Sequence, residues 1–269
     1  DRNRSYTIAM AEAKEHDLMI VHGSEITRSE PAGHNNAVFI KDANPILQDK
    51  AEDAFMEAKK QGAFVFWNHP NWVNQEKDGL PQLTDFHKEL IAKDYLQGIE
   101  VVNDLTYSEE ALDIAQKNNL TVIGTSDIHG LVDWQYDIPE GGHRPVLLVF
   151  GEDRSIESIK KGLFAGRTIA WYYNMLDGNE TAMNPLLDAC LHVESKGYFG
   201  NSSALEIEIT NTSDARFRLF NESEFEFYEH SDLIEIQPHS SRIIKVLAES
   251  ADSDKVILDF KVMNAIIGK

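Results

Sequence analysis

The chain has 269 residues, of which 42% are hydrophobic, enough for one medium domain and a small one with a substantial buried core. Its 25 basic and 45 acidic residues give a formal net charge of -20, which argues against nucleic acid or an anionic membrane as the main partner. A single cysteine, Cys190, excludes an internal disulfide framework and a cysteine-based zinc site. No apolar run approaches the roughly 18 residues of a membrane span.

Residues 1–174 alternate short apolar runs with amphipathic segments, a pattern typical of strands and helices in turn. The predicted helices are residues 5–16, 48–61, 83–96, 108–117 and 155–165. The predicted strands are residues 18–26, 37–40, 64–68, 99–103, 121–125 and 145–150, and residues 168–173 close the region. Gly62 is expected to end the second helix, and Ser108 to cap the start of the fourth.

This alternation predicts βα units and a parallel sheet, and ligand-type residues at successive strand ends favour a closed barrel over an open sheet. Apart from the short strand 37–40, five such strands precede residue 151, about two units fewer than a barrel needs to close. The chain also opens at Asp1, inside a predicted helix. We therefore expect the sequence to be a fragment whose natural start lies upstream.

From about residue 175 the pattern changes to a period of two. Leu205, Ile207 and Ile209 alternate with polar residues, and turn residues separate such runs about every ten positions. This predicts a second domain, residues 175–269, folded as a small antiparallel β-sandwich. The histidines of this region are interpreted as surface residues; they are His192, His230 and His239.

Metal-type ligands stand at or near the predicted strand ends of the first domain. They are Glu25, His34, His69, Asp127 and His129. Pro70 forces the preceding residues into an extended conformation, which can hold the His69 imidazole at the mouth of the sheet. Carboxylate oxygen and imidazole nitrogen bind divalent metals when several converge from different strands. Each histidine alone is better explained by ordinary hydrogen bonding, but their joint placement predicts a metal centre.

Other residues near this mouth have two interpretations. Arg28, His143 and Arg144 lie on predicted loops and could contact a phosphate, although a solvated ion pair is the commoner role for each. The tryptophans could stack on a flat group or simply pack; they are Trp67, Trp72 and Trp134. Glu100 is interpreted as buried structure, and Asn103 as a residue that orients a ligand or water.

Four sequence strings resemble, in order and spacing, the later motifs of PHP-domain metal-dependent phosphoesterases. They are Gly-Ser-Glu-Ile-Thr-Arg at 23–28, Phe-Trp-Asn-His-Pro at 66–70, Gly-Ile-Glu-Val-Val-Asn at 98–103 and Gly-Thr-Ser-Asp-Ile-His at 124–129, together with Gly33-His34. The match covers about the first 150 residues. The first three strings look most like the subgroup often called Sb-PDE-type phosphodiesterases, which carry a sandwich-like C-terminal extension.

The resemblance implies an α/β fold, a distorted (β/α)7 barrel, with up to three zinc, manganese or iron ions. Glu25 would bridge two metals, His34 and His69 would complete the second, Asp127 the first, and His129 would bind the third. The family also has an early His-x-His on its first strand and an Asp/Glu-His on its second, and neither motif occurs on a predicted strand of residues 1–174. Their absence agrees with missing first units, and partial metal occupancy is therefore expected in this chain.

The reaction implied by the resemblance is phosphodiester hydrolysis, of aryl or alkyl esters, by a metal-bound hydroxide, with Glu25, Asp127 and Arg28 as catalytic residues. The partner is a small phosphate-ester substrate, and a periplasmic or secreted location is expected from the resemblance alone. Two alternatives stay open: a phosphomonoesterase of the histidinol-phosphatase kind, and a non-catalytic protein that binds a metal or ligand. This fragment by itself is expected to be weak or inactive.

Overall fold

The structure is a computed structural model that describes residues 1–29, 32–248, 250 and 255–267. The chain divides into two compact units. The first comprises Asp1–Tyr173 and Asp177–Ala182, together with Ile267, and the second comprises Asn174–Leu176 and Met183–Ile266.

Six α-helices and eight strands are assigned to the described part of the first unit. The helices are Arg4–Ala13 (α1), Ala51–Lys60 (α2), Asp85–Ala92 (α3), Glu109–Lys117 (α4), Val132–Gln135 (α5) and Ile156–Phe164 (α6). The strands are Gly23–Thr27 (β1), His34–Val38 (β2), Phe64–Trp67 (β3), Gly98–Asn103 (β4), Thr106–Tyr107 (β5), Thr121–Thr125 (β6), Val146–Val149 (β7) and Thr168–Tyr172 (β8). The short helix α5 lies in a segment that the sequence predicts as a loop.

Helix starts follow the capping residues that the sequence contains. The Ser108 hydroxyl accepts a hydrogen bond from the Ala111 N–H at 3.1 Å, which satisfies a free donor at the start of α4. Ser155 caps α6 in the same way through the Ser158 N–H. On α2, the buried residues Ala54, Phe55 and Ala58 form one face of the helix, as its amphipathic sequence predicts.

The principal sheet has the order β1–β2–β3–β4–β5, with β6 also paired to β4. Only the β3–β4 and β4–β6 pairs in it are parallel; β1–β2, β2–β3 and β4–β5 are antiparallel, as is the β7–β8 pair of another sheet. The prediction of βα units throughout is therefore wrong. Residues 28–33, between β1 and β2, are too few for the dozen or more that a parallel crossover needs. These pairings show a mixed α/β unit and do not show the predicted closed (β/α)7 barrel.

The core of the first unit lies around its central strands. Every residue of β3 and β4 is buried. Phe64, Phe66 and Ile123 pack against Leu163 of α6. The burial of β3 fixes its carboxyl end, which leads directly into the segment that carries His69.

Gly124 allows β6 and β8 to approach closely. A Cβ at this position would lie 2.6 Å from the Cβ and 3.3 Å from the Cα of Ala170. We expect Gly124→Ala to lower the free energy of unfolding by about 1–3 kcal/mol, because a backbone neighbour must shift. Urea denaturation measures the change. Gly130→Ala is the matched control, since a Cβ there meets no atom within 4 Å; equal stability of the two variants would contradict the explanation.

The second unit consists mainly of antiparallel strands. They are Leu191–Tyr198 (β10), Ala204–Asn211 (β11), Phe217–Asn221 (β12), Phe227–Tyr228 (β13), Leu233–Ile236 (β14), Ser240–Leu247 (β15) and Phe260–Val262 (β16). Two sheets result, with orders β10–β11–β15–β13 and β14–β12–β16. Along β12, buried and exposed residues alternate without interruption, as the period-two sequence pattern predicts.

Three further elements lie near the division between the units. They are the strands Met175–Gly178 (β9) and Ala265–Ile267 (β17) and the helix Glu180–Cys190 (α7). The sequence pattern did not predict α7, which precedes the strands of the second unit. This segment contains Pro185, a residue that disfavours the interior of a helix, yet its other residues include good helix formers such as alanine and leucine.

Candidate functional site

A cavity of about 630 Å³ lies at the ends of the central strands of the first unit. All five residues that the sequence predicts as metal ligands line this cavity: Glu25, His34, His69, Asp127 and His129. A volume of this size is typical of small-molecule sites. The structure thus brings together residues up to about 100 positions apart in the chain.

Glu25 and His34 come from one antiparallel hairpin. Glu25 lies within β1, and His34 is the first residue of β2. The sequence analysis, in contrast, predicted that this strand begins after His34, at residue 37. Nδ1 of His34 lies 3.0 Å from Oε1 of Glu25, and the Thr27 hydroxyl donates to the same oxygen at 2.7 Å. The His34 side chain is 22% exposed and that of Glu25 is 41% exposed, so solvent reaches this contact and limits its strength.

His69 follows the buried strand β3 in an unusual backbone conformation. Its φ is +29°, in the left-handed region that non-glycine residues rarely adopt. Its ring centroid lies 4.9 Å from that of His34 and 5.1 Å from that of Trp72. Within the described part of the chain, its Nδ1 is buried without a hydrogen-bond partner. Burial, and next the neighbouring His34, lower the pKa of His69, which favours the neutral imidazole that binds metals.

Asp127 and His129 follow β6 on the other side of the cavity. Asp127 also has a left-handed φ, of +45°. Nδ1 of His129 lies 2.6 Å from the carbonyl oxygen of Asp127 and 3.9 Å from its Oδ1, while 85% of the His129 side chain is exposed. The Tyr136 hydroxyl donates to the carbonyl oxygen of Ser126 at 2.9 Å, which ties α5 to this segment.

Glu100 lies beneath the cavity and is only 2% exposed. Its Oε2 accepts hydrogen bonds from the backbone N–H of His69 at 2.6 Å and from the Asn103 amide at 2.9 Å, and its Oε1 accepts from the Thr125 hydroxyl at 2.7 Å. Burial raises the pKa of Glu100 to about 7 although these three hydrogen bonds act in the opposite direction. Asn103 itself lines the cavity, as the sequence analysis anticipates for a residue that orients a ligand.

Several other residues singled out in the sequence lie elsewhere. The Arg28 guanidinium donates to the carbonyl oxygens of Thr27 and Gln48, and its catalytic role stays a prediction. Trp67 is buried and stacks on His87 at 4.0 Å, which is the packing interpretation. The His143 ring lies 4.6 Å from that of Trp171, and Trp134 is 81% exposed. Trp72, in contrast, does line the cavity.

Six cavity residues were not singled out in the sequence: Thr27, Asn71, Val73, Asp104, Thr106 and Gln135. The sequence did contain a signal for Asp104 as a cavity residue: it directly follows β4, just as polar residues directly follow β3 and β6. Its Oδ1 accepts a hydrogen bond from the Gln135 amide at 2.6 Å and lies 2.9 Å from the Tyr136 hydroxyl oxygen, whose single hydrogen it shares with the Ser126 carbonyl oxygen. Thr27, Thr106 and Gln135 lie at the ends of β1, β5 and α5, and Asn71 and Val73 lie on turns. In both places the sequence pattern carries little information about the direction of a side chain.

The donor set of two carboxylates and three imidazoles suits zinc, manganese or iron. The buried Nδ1 of His69 has no hydrogen-bond partner among the residues that the structure describes, so it could serve as a metal ligand. Among the described residues, however, no group of three or more acidic, histidine or cysteine side chains is arranged to hold a metal ion. Glu25 and His34 contact each other in this conformation, so joint ligation requires these side chains to turn toward a common point.

Comparison with known proteins agrees with this division into a mixed α/β unit and a β unit. A family model described as an Ig-like domain matches residues 191–269, so the chain ends in an Ig-like β domain. Over its whole length the chain is similar to the solved structure of a two-domain protein from Bacteroides vulgatus that contains a predicted PHP-like metal-dependent phosphoesterase. Identity is 34%, the TM-score is 0.89, and the match covers 100% of this chain and 77% of the other.

The chain therefore belongs to this family of two-domain PHP-like proteins. The resemblance inferred from the sequence strings is confirmed at the level of the PHP-like family. Among curated proteins, none matches the chain. Of the described helices, none combines the length and apolar character that a membrane span requires.

Proposed function

We propose that the α/β unit is a metal-dependent phosphoesterase, with Glu25, His34, His69, Asp127 and His129 as its metal ligands. The observation that carries the proposal is that these five side chains line one cavity in a chain of the PHP-like family. As the finer proposal, the substrate is a phosphodiester, as in the Sb-PDE-type subgroup, and the metals are zinc, manganese or iron.

The charge of the protein makes cations necessary for such a substrate. At a net charge of -20, the chain repels a phosphate ester at long range. Bound divalent ions supply positive charge, polarise phosphoryl oxygens and lower the pKa of water toward neutrality. The carboxylates of Glu25 and Asp127 attract these ions, and the low pKa of His69 keeps its imidazole available as a ligand.

The remaining lining residues suit a phosphate ester with an organic group. Asn71, Asn103 and Thr27 offer amide and hydroxyl donors for phosphoryl oxygens. Trp72 and Val73 give one part of the wall an apolar surface, which excludes water from the bound ester. A cavity of about 630 Å³ leaves room for the alcohol part of the substrate.

The proposal predicts that hydrolysis requires divalent metal. With the protein in its natural full length, we expect a chelator to reduce hydrolysis of a chromogenic phosphodiester to background, and added Mn²⁺ or Zn²⁺ to restore it. Release of the chromogenic alcohol measures both steps. Hydrolysis of neither the diester nor the monoester of the same alcohol, with metal present, would contradict the proposal.

The same assay separates the two alternatives. Preference for the monoester would favour a phosphatase of the histidinol-phosphatase kind. Metal binding without hydrolysis of either ester would favour a non-catalytic binding protein. The resemblance of Gly98–Asn103 and its neighbouring strings to the diesterase subgroup supports preference for the diester.

A further inference from the structure

Glu100 differs from the residues that line the cavity. It lies in β4, almost fully buried, and the residues that line the cavity do not include it. A carboxylate in such a place is costly unless hydrogen bonds satisfy its oxygens. Here both oxygens accept hydrogen bonds, so its burial is compensated by specific partners.

The three partners of Glu100 belong to three different strand ends. The His69 N–H follows β3, the Asn103 amide ends β4, and the Thr125 hydroxyl ends β6, two residues before Asp127. The backbone N–H and the amide can only donate through these atoms, and an ionised carboxylate can only accept. One side chain therefore joins the segments that carry His69, Asn103 and Asp127.

The contact with His69 has a specific structural consequence. The 2.6 Å hydrogen bond from its N–H to Glu100 holds the peptide at the point where φ is left-handed. An unfavourable backbone conformation persists only where its surroundings hold it, and this short hydrogen bond is such a restraint. That conformation determines the direction in which the His69 imidazole points.

We propose that Glu100 is the positioning residue of the candidate site: its carboxylate fixes the His69 peptide and the ends of β4 and β6 so that the His69 imidazole and the Asp127 carboxylate face the cavity. This role of Glu100 rests on the proposed function, because it assumes that the cavity binds divalent ions. Glu100 acts through these residues and touches neither metal nor substrate.

Three substitutions test this role in the full-length protein. Glu100→Met keeps the size without an acceptor, Glu100→Asp keeps the charge on a side chain too short to reach all partners, and Glu100→Gln keeps an acceptor oxygen. The Gln variant can accept from His69 and donate its amide to the Thr125 hydroxyl, which also accepts. We expect Mn²⁺ affinity, measured by calorimetry, to fall about 10–100-fold for the Met and Asp variants and by less than about fivefold for the Gln variant.

A second measurement needs no metal. In metal-free protein, we expect the His69 amide to exchange with solvent faster in the Met and Asp variants than in the natural protein, since its acceptor is lost or displaced. Unchanged exchange in these variants would overturn the proposal whether or not the protein hydrolyses phosphate esters. If the Met variant fails to fold, the Asp variant provides the same test.

Leu163→Ala is the control for a merely structural effect. Leu163 is buried in the core with Phe64 and Phe66, on α6. The Leu163→Ala variant should lose thermal stability and keep both the Mn²⁺ affinity and the slow amide exchange at His69. Full Mn²⁺ affinity in Glu100→Asp, or an equal loss in Leu163→Ala, would overturn the role of Glu100. Hydrolysis that fails while these differences persist would overturn only the proposed function.

Discussion

His69→Ala is expected to lower kcat/KM for phosphoester hydrolysis by at least about 100-fold, since loss of an outer partner of a metal ligand already costs about 10–100-fold. The imidazole lines the cavity, and its Nδ1 is buried without a partner among the described residues. Alanine removes the ligand and keeps the backbone N–H that Glu100 binds. Steady-state kinetics at saturating Mn²⁺, with calorimetry for metal affinity, measure the effect.

His22→Ala is the matched control. His22 is also buried, but it stacks on Tyr6 with 4.1 Å between ring centroids and does not line the cavity. Its loss should reduce stability and leave kcat/KM and Mn²⁺ affinity unchanged in the folded protein. The ligand assignment fails if His69→Ala keeps natural activity and affinity, or if both variants lose activity equally.

Asp177→Asn is expected to raise the free energy of unfolding by about 2–4 kcal/mol at pH 8. Asp177 lies in β9 with 0% exposure, and neither carboxyl oxygen has a hydrogen-bond partner in the part of the chain that the structure describes. Burial raises its pKa from 3.8 to about 7. Ionising this group in the folded state at pH 8 is therefore unfavourable, and a neutral amide of the same shape removes that cost.

The sign follows from proton binding. Between about pH 4 and pH 7 the folded state keeps the Asp177 proton while the unfolded chain has lost it, so stability falls as the pH rises through this range. The gain from Asp177→Asn should therefore be about 2 kcal/mol larger at pH 8 than at pH 5. Urea denaturation at both pH values measures it. Glu100 titrates in both proteins and cancels in the difference.

Asp133→Asn, at an exposed position, should change stability by less than about 0.5 kcal/mol at either pH. A gain for Asp177→Asn that is equal at pH 5 and pH 8 would show that the carboxyl does not titrate in this range.

Local signals in the sequence were sufficient for several elements. The predicted strand at 121–125 coincides with β6, because a short β-branched run is bounded by polar residues. The fourth helix begins after Ser108, as its capping residue predicts. Strand direction was not predictable in this way. The sequence predicted a return strand at 37–40 after the strand 18–26 but described the repeat as βα throughout, whereas both β1–β2 and β2–β3 are antiparallel. Pairing depends on backbone contacts between segments that the local sequence does not relate.

The candidate site shows the same difference. The five ligand-type residues could be selected from their types and their places near strand ends, and the structure brings them to one cavity. The hydrogen-bond network around Glu100 could not be predicted, because the sequence does not show which buried donors face a carboxylate. Asp104 and Gln135 meet only through the fold of the segment after β6, which the sequence predicts as an irregular loop.

The β1–β2 hairpin has a consequence for the order in which the site assembles. Glu25 and His34 lie close in sequence, so their contact closes a short loop and can form on the microsecond timescale of hairpins. His69, and still more Asp127 and His129, join only after loops of tens of residues have closed, which slows folding. Capture of an ion by the complete set of ligands therefore reports that the whole α/β unit has folded, whereas the hairpin pair alone can form before the rest of the chain is in place.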